Sequence, residues 1–205
     1  MPSYERSVFI NCPFDDLFAP LLHAAVLTIA ALGFTPRCAR ETEGESDPRI
    51  DRIVRGLRES KYSIHDLSRF HGEGPDHLSR FNMPLELGMA LSIRYQGKIS
   101  GNPHNWGALV PVGFMHQKFI SDLAGFDPPA HEQTPTSVIR AIAGWLMIQP
   151  DYTPPSPSPK KILETYPKLL AVLEEAKTES LGHLTWPMII RSAERVISMM
   201  GEGGP

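Results

Sequence analysis

The sequence has few cysteines and no strong metal-binding pattern. Its two cysteines, Cys12 and Cys38, lie far apart at the ends of apolar runs, which favours buried free thiols over a disulfide or a metal site. Free thiols are typical of a reducing cytoplasm, so a cytoplasmic location is expected. The HGEGPDH stretch at residues 71–77 matches no established ligand spacing. Neither a metal nor another cofactor is therefore expected.

Net charge and long apolar runs are also scarce. The formal net charge is −3, which gives no general attraction to nucleic acid or to an anionic membrane, so neither partner is expected. Residues 17–36 contain no acid, Lys or Arg, but the helical part ends by Leu32, short of the about 20 apolar residues that a membrane span needs. No basic segment precedes it, as a signal peptide would require. The run is therefore predicted to be a helix buried against a sheet.

Two catalytic signatures are missing as well. There is no GxSxG motif, and the loop at residues 11–15 lacks the glycines of a P-loop or a GxGxxG turn. That loop, NCPFD, still offers backbone N–H groups, the Asn11 amide and the Phe14 ring beside a helix N-terminus, which suits a base or a phosphate. Phe14 has an equally good alternative role as a core side chain.

Short apolar runs alternate with longer helical patterns along the first three quarters of the chain. Strands are predicted at residues 7–11, 34–39, 62–67 and 108–112, and helices at about 16–32, 48–60, 82–95 and 136–148. This alternation predicts an α/β domain, residues 1–148, with a doubly wound parallel sheet and helices on both faces.

The last quarter of the chain has a different composition. Residues 149–159 hold five prolines and are predicted to form a stiff linker. Residues 160–205 are predicted to be a helical appendage, with one helix interrupted at Pro167 and a second capped by Thr185. The appendage either folds back on the sheet or covers a partner or a second copy.

Glu86 is the only charged residue between residues 81 and 93. On a helix most of its neighbours three and four positions away are apolar, so its carboxyl is not on an evidently solvated face. A carboxyl partly removed from water suits nucleophilic or acid–base chemistry. The alternative is an acid that complements a helix dipole. Gly88 lowers helix propensity and suggests that a strand or a ligand approaches the backbone there.

Polar residues also follow the predicted strands, where parallel sheets bind ligands. Asp66 ends the third strand, where it could hold a ligand hydroxyl or share a proton, or simply stabilise the next loop. Neighbouring residues of a strand point to opposite faces, and His65 is predicted to be a satisfied core side chain. Arg37, at the end of the second strand, could bind a phosphate or remain a surface charge. The arginines at every third position of residues 49–58 are interpreted as a solvated helix face.

The strand, loop and helix spelled YSIHDLSR…RFNMPLELGMA resemble those of the nucleoside 2-deoxyribosyltransferase-like group of N-glycosidases. SVFINCPFDD is similar to the first strand and base-binding loop of that family. TIR-type NAD glycohydrolases, which share a similar flavodoxin-like sheet and a glutamate on a helix, are a neighbouring alternative. The resemblance covers residues 7–94, with weaker support to about residue 146, and it implies a flavodoxin-like fold.

The resemblance also implies roles for individual residues. Glu86 would be the nucleophile, or the anion that stabilises an oxocarbenium-like sugar at C1′. Asp66 would orient the sugar or assist the leaving base. Asn11, Pro13 and Phe14 would flank the base.

The helix start departs from the family pattern. Arg80 stands where the transferases have a small or acidic residue, and Asn82, with the two residues that follow it, replaces a turn of small residues. Arg80 together with Arg37 favours a phosphorylated substrate, and Asn82 is counted among the candidate substrate-binding residues.

These observations predict an N-glycosidase, a hydrolase or a transferase, that cleaves the base–ribose bond of a nucleotide or NAD. The resemblance further implies a role as an antiphage defence effector in bacteria. A homo-oligomer is expected, and the C-terminal helices are a candidate surface for a protein partner. The alternative is a non-catalytic nucleotide-binding sensor that signals through its helical tail.

Overall fold

The sheet has five parallel strands in the order β2-β1-β3-β4-β5. This is the strand order of flavodoxin-like folds, so the predicted fold class is confirmed. The computed structural model describes residues 3–44, 46–69, 81–101, 103–113 and 115–201. The strands are β1 (Ser7–Asn11), β2 (Thr35–Arg37), β3 (Tyr62–Asp66), β4 (Asn105–Pro111) and β5 (Ala130–His131).

Helices cover both faces of the sheet because the central strands are apolar on both sides. Val8 and Ile10 of β1 join the core formed with α1 and α4, whereas Phe9 between them packs with residues of α2 and α3. In the described part of the chain the α-helices are α1 (Ala19–Ala31), α2 (Arg49–Arg58), α3 (Asn82–Ser100), α4 (Pro135–Leu146), α5 (Pro159–Glu179) and α6 (Trp186–Gly201). The apolar run at residues 17–36 therefore supplies a buried helix, α1, as expected. Among the residues that the structure describes, no helix is both long enough and apolar enough to cross a bilayer.

The C-terminal helices form a fourth layer, which packs on α1 and α4. Ile162 and Leu169 of α5 and Ile189 and Val196 of α6 are buried in the same apolar cluster as the helices beneath them. Of the two arrangements left open by the sequence, the structure shows the tail folded back on the α/β domain.

The proline-rich segment before α5 contacts the N-terminal end of β3. Asp151 accepts a hydrogen bond from the hydroxyl of Tyr62 and lies 2.8 Å from Nζ of Lys61. Nη1 of Arg6 donates to the backbone carbonyl of Asp151 at 2.5 Å. These contacts fix where the tail begins.

Several predicted boundaries differ from the structure. The predicted interruption at Pro167 is wrong, because α5 continues through this residue. Pro167 is exposed, so solvent can bind the carbonyl that its ring leaves unpaired. The prediction that Asn82 caps α3 is also wrong: Phe81 occupies the cap position, and Asn82 is the first helical residue. β5 was not predicted, since two residues are too few to show a periodic pattern.

Candidate active site

The ends of β1 and β3 bring the candidate residues to one edge of the sheet. Asn11 is paired in register with His65, and Asp66 is the last residue of β3. Cys12 follows β1 and is buried, which raises the pKa of its thiol; Asp66, Glu86 and Asp15 raise it further by their charges. Three carboxyl groups from different elements therefore lie within electrostatic reach of this one thiol.

Glu86 is buried, with 3% of its surface exposed, as its apolar neighbours predicted. It is the fifth residue of α3, beyond the first turn, so the alternative of a first-turn acid does not describe it. Its Oε1 lies 3.2 Å from Nη1 of Arg49, the first residue of α2. Burial raises the pKa of the Glu86 carboxyl, and the Arg49 guanidinium opposes that rise.

A cleft of about 310 Å³ opens beside this ion pair. It is lined by the loop after β1, by the starts of α2 and α3, and by Arg69; the lining residues are Cys12, Pro13, Phe14, Asp15, Arg49, Arg69, Asn82 and Met83. The volume is at the lower end of the range of small-molecule sites, about 300–1,000 Å³. The cleft lies beyond the carboxyl ends of the strands, where ligands of this fold bind.

The loop after β3 is held in place by Asp66 and carries Arg69 to the cleft. Oδ1 of Asp66 accepts from the backbone N–H of Ser68 at 2.9 Å and also from its hydroxyl. Arg69 then donates to both oxygens of Asp15, at 2.5 Å and 2.7 Å. Asp66 thus has the loop-stabilising contacts that were the alternative to a direct role in the reaction.

The second oxygen of Asp66 faces a histidine from β5. Nε2 of His131 lies 3.2 Å from Oδ2 of Asp66, outside hydrogen-bond geometry, and neither atom has another hydrogen-bond partner among the described residues. Nδ1 of His131 accepts the backbone N–H of Gln133, so a neutral imidazole carries its proton on Nε2, facing Asp66. A carboxylate at position 66 presents an acceptor oxygen to both Ser68 and His131, whereas an amide presents only one.

A buried chain of hydrogen bonds sets the orientation of Asn11. Nδ1 of His104 must donate to the Ser60 carbonyl, 2.8 Å away, so its Nε2 accepts from the hydroxyl of Ser63 at 2.7 Å. Ser63 in turn accepts from Nε2 of His65 at 2.8 Å, and Nδ1 of His65 accepts from the Asn11 amide at 2.9 Å.

Both imidazoles in this chain are neutral, because burial lowers the pKa of His65 to about 3 and of His104 to about 4. His65 is thus the satisfied core histidine that was expected. Oδ1 of Asn11 is left buried without a hydrogen-bond partner among the described residues, while the Asn11 amide reaches the carbonyl of Met83, a cleft residue, at 3.4 Å.

The structure brings together some of the predicted site residues and not others. Pro13, Phe14 and Asn82 line the cleft. Arg37 lies elsewhere, with its guanidinium held by Glu41 at 2.8 Å and Glu59 at 3.0 Å, so the expectation that it binds a phosphate of the substrate is not supported. Arg80, and the histidines and acids of residues 71–77, lie outside the described residues.

Gly88 has no close neighbour from another element among the described residues. Apart from its own helix, no described atom lies within 4 Å of the position a Cβ would take, so a strand does not approach α3 there, and the approach of a ligand stays a prediction.

Sequence reasoning missed three residues of the site. Arg49 was assigned to a solvated helix face, yet it pairs with Glu86. Arg69 and His131 were not singled out, although the ends of strands are where such residues gather. The only usable signal for Arg69 was its place in the loop after β3, and the short β5 gave none for His131.

Comparison with known proteins adds no assignment. A scan against protein-family models and a search of curated proteins gave no match to this chain.

Proposed function

We propose that the protein is an N-glycosidase that breaks the bond between base and ribose of a nucleotide or NAD. The observation that carries the proposal is Glu86, a buried carboxyl that contacts Arg49, a residue lining a cleft of small-molecule size. Positive charge develops on the sugar as the base departs, and a preorganised anion stabilises that charge more in a dry site than in water. As in glycoside cleavage, such a carboxylate can also form a covalent intermediate with the sugar.

The reaction with NAD balances with water as the only co-reactant. The C1′–N bond breaks, its electrons leave with the nicotinamide, and the cationic ring becomes neutral. Glu86 either bonds to C1′ or stabilises the cation there. The oxygen of water then bonds to C1′, any bond to Glu86 breaks with its electrons returning to the carboxylate, and the water proton goes to solvent.

The loop after β1 would hold the base. Phe14 offers an aromatic face and Pro13 an apolar edge in the cleft, and bases stack on such side chains. Asp66 acts in this account as a positioning residue, because its contacts hold the loop that carries Arg69.

A substrate screen tests the proposal. The protein is incubated separately with NAD, nucleoside mono- and triphosphates and nucleosides, and free base is measured by chromatography. Release of base that disappears in Glu86→Gln supports the mechanism. Release of base by Glu86→Gln would show that the reaction does not depend on Glu86.

The second candidate is a nucleotide-binding sensor, and one observation favours it. A larger cavity of about 580 Å³ lies between the tail and the first loop, and Phe14 and Asp15 line both this cavity and the cleft. Residues of α5 and of the α5–α6 loop, including Leu173 and Leu184, form its other wall. Ligand binding without turnover, accompanied by altered protection of α5 and α6 in hydrogen exchange, would favour the sensor.

A further inference from the structure

Four positive groups from three elements, α2, the loop after β3 and α3, meet at the cleft. Arg49 and Arg69 supply two guanidinium groups. The start of α2, at Arg49, and the start of α3, at Asn82 and Met83, supply the N-terminal ends of two helices. The first N–H groups of a helix have no partner within the helix, and the helix dipole makes that end positive.

Neither helix end is capped by a side chain. Pro48 holds the cap position of α2 and Phe81 that of α3, and within the described residues no side chain accepts from the first N–H groups of either helix. Ser, Thr, Asp or Asn usually fills this position and supplies the acceptor. Proline and phenylalanine have no side-chain acceptor, so within the described residues both helix ends can accept an external anion.

Each cleft arginine is already close to a carboxylate that holds it in place. Nη1 of Arg49 contacts Glu86, and Arg69 donates to Asp15. The two carboxylates balance the two guanidiniums, while the helix ends remain as additional positive potential. A guanidinium has five N–H donors, so Arg49 can contact Glu86 and a second anion together. Its side chain is 43% exposed, whereas that of Glu86 is 4% exposed, so Arg49 extends from the buried acid toward solvent.

We propose that Arg49 and Arg69, with the N-termini of α2 and α3, form an anion clamp that binds the phosphate or diphosphate of the ligand. The planar fork of arginine matches phosphate oxygens in pairs, and two forks on opposite elements suit a diphosphate. The clamp assigns to Arg49 and Arg69 the role that the sequence suggested for Arg37 and Arg80.

The clamp deepens the proposed function, on which it rests for what the rest of the ligand is. Arg49 contacts Glu86 directly, so a phosphate bound by Arg49 is separated from the proposed nucleophile only by the Arg49 guanidinium. The site would then favour nucleotides over nucleosides.

Calorimetric titration tests the clamp with probes that need no turnover. Wild-type protein is titrated with inorganic pyrophosphate, AMP and adenosine at matched ionic strength. Pyrophosphate and AMP should bind, and Arg49→Ala and Arg69→Ala should each weaken both by about tenfold or more, the usual effect of losing a hydrogen bond to a charged group. Arg58→Ala removes an exposed arginine at the other end of α2 and should leave binding unchanged.

Folding is controlled by thermal melts of every variant. Arg49→Lys and Arg69→Lys serve if an alanine variant does not fold, since lysine keeps the charge and loses the fork. Arginine variants that bind pyrophosphate as tightly as Arg58→Ala would overturn the clamp, and so would wild-type protein that binds adenosine as well as AMP.

The clamp and the glycosidase fail in distinguishable ways. Arginine-dependent pyrophosphate binding without base release from any substrate keeps the clamp and removes the reaction. Base release from adenosine and AMP alike, without pyrophosphate binding, keeps the reaction and removes the clamp.

Discussion

Nη1 of Arg49 lies 3.2 Å from Oε1 of Glu86 and joins the first turn of α2 to a buried acid of α3. Arg49 lowers the pKa of Glu86, whereas burial, the larger effect, raises it. The carboxyl therefore remains harder to ionise than an ordinary glutamate. This balance has a measurable consequence for stability.

Replacing Glu86 should change stability in a pH-dependent way. The pKa of Glu86 is raised above its ordinary 4.5 in the folded protein, so the folded chain binds this proton more tightly than the unfolded chain. The associated stability is present below pH 4.5 and is lost as the pH rises through the raised pKa. We expect Glu86→Gln, which cannot ionise, to have a higher Tm than wild type near pH 8 and to lose this advantage near pH 4.

The matched control for that experiment is Glu164→Gln, an exposed acid on α5. Glu164→Gln should have the same Tm as wild type near pH 8 and near pH 4. A Glu86→Gln variant with no advantage over wild type near pH 8 would contradict the account of a carboxyl strained by burial.

The buried hydrogen-bond chain that links the Asn11 amide to the His104 imidazole predicts that removing the Ser63 hydroxyl destabilises the protein. Ser63 is fully buried, and Ser63→Ala would leave Nε2 of His65 and Nε2 of His104 without their partner. We expect a loss of about 1–3 kcal/mol in the free energy of unfolding, measured with urea. Ser92→Ala, on the exposed side of α3, should lower the free energy of unfolding much less. Equal losses for the two variants would argue against the hydrogen-bond chain.

The same two histidines should resist protonation. With the pKa of His65 at about 3 and of His104 at about 4, both folded-state values lie below the ordinary 6.5. Their contribution to stability is present above pH 6.5 and is lost as the pH falls toward those values. NMR should show that the imidazoles of His65 and His104 remain neutral at pH 5.5. Protonation of both at that pH would contradict their burial.

The tail should behave as part of the core. Leu169 is fully buried in the cluster shared by α1, α4 and α6, so Leu169→Ala should lower stability by about 2–5 kcal/mol. Leu170, its neighbour, is 40% exposed and provides the control, since Leu170→Ala should cost well under half as much. Similar, small losses at both positions would mean that the tail is a separable appendage.

Asp66 should tolerate substitution poorly for a structural reason. Its two oxygens face the donors of Ser68 and His131, and an asparagine can accept at only one of them. We expect Asp66→Asn to lower stability by about 1–3 kcal/mol and still to release base. If Asp66→Asn remains folded but releases no more base than Glu86→Gln, Asp66 takes part directly in the reaction.

Local patterns predicted the sheet and the position of Glu86 because both depend on nearby residues. The burial of Glu86 follows from apolar neighbours one helical turn away, and β1 and β3 from short apolar runs. Arg49 could not be chosen from four arginines at regular spacing, since only the packing of α2 beside α3 decides which one meets Glu86. His131 depends on a two-residue strand that is paired only through β4, a contact without a local signal.

The C-terminal helices show the same difference between what local patterns predict and what distant contacts decide. Helical periodicity predicted α5 and α6, but their place over α1 depends on contacts between residues more than a hundred positions apart. One of these joins the hydroxyl of Tyr166 to the carbonyl of Pro20 at 2.9 Å. No pattern within the tail could indicate it.

The most direct test of the central claim is release of free base from NAD and AMP, followed by chromatography for wild type, Glu86→Gln and Glu164→Gln. The account predicts release by wild type and by Glu164→Gln, and none above background by Glu86→Gln, with all three folded. Release by Glu86→Gln at the rate of wild type would contradict it.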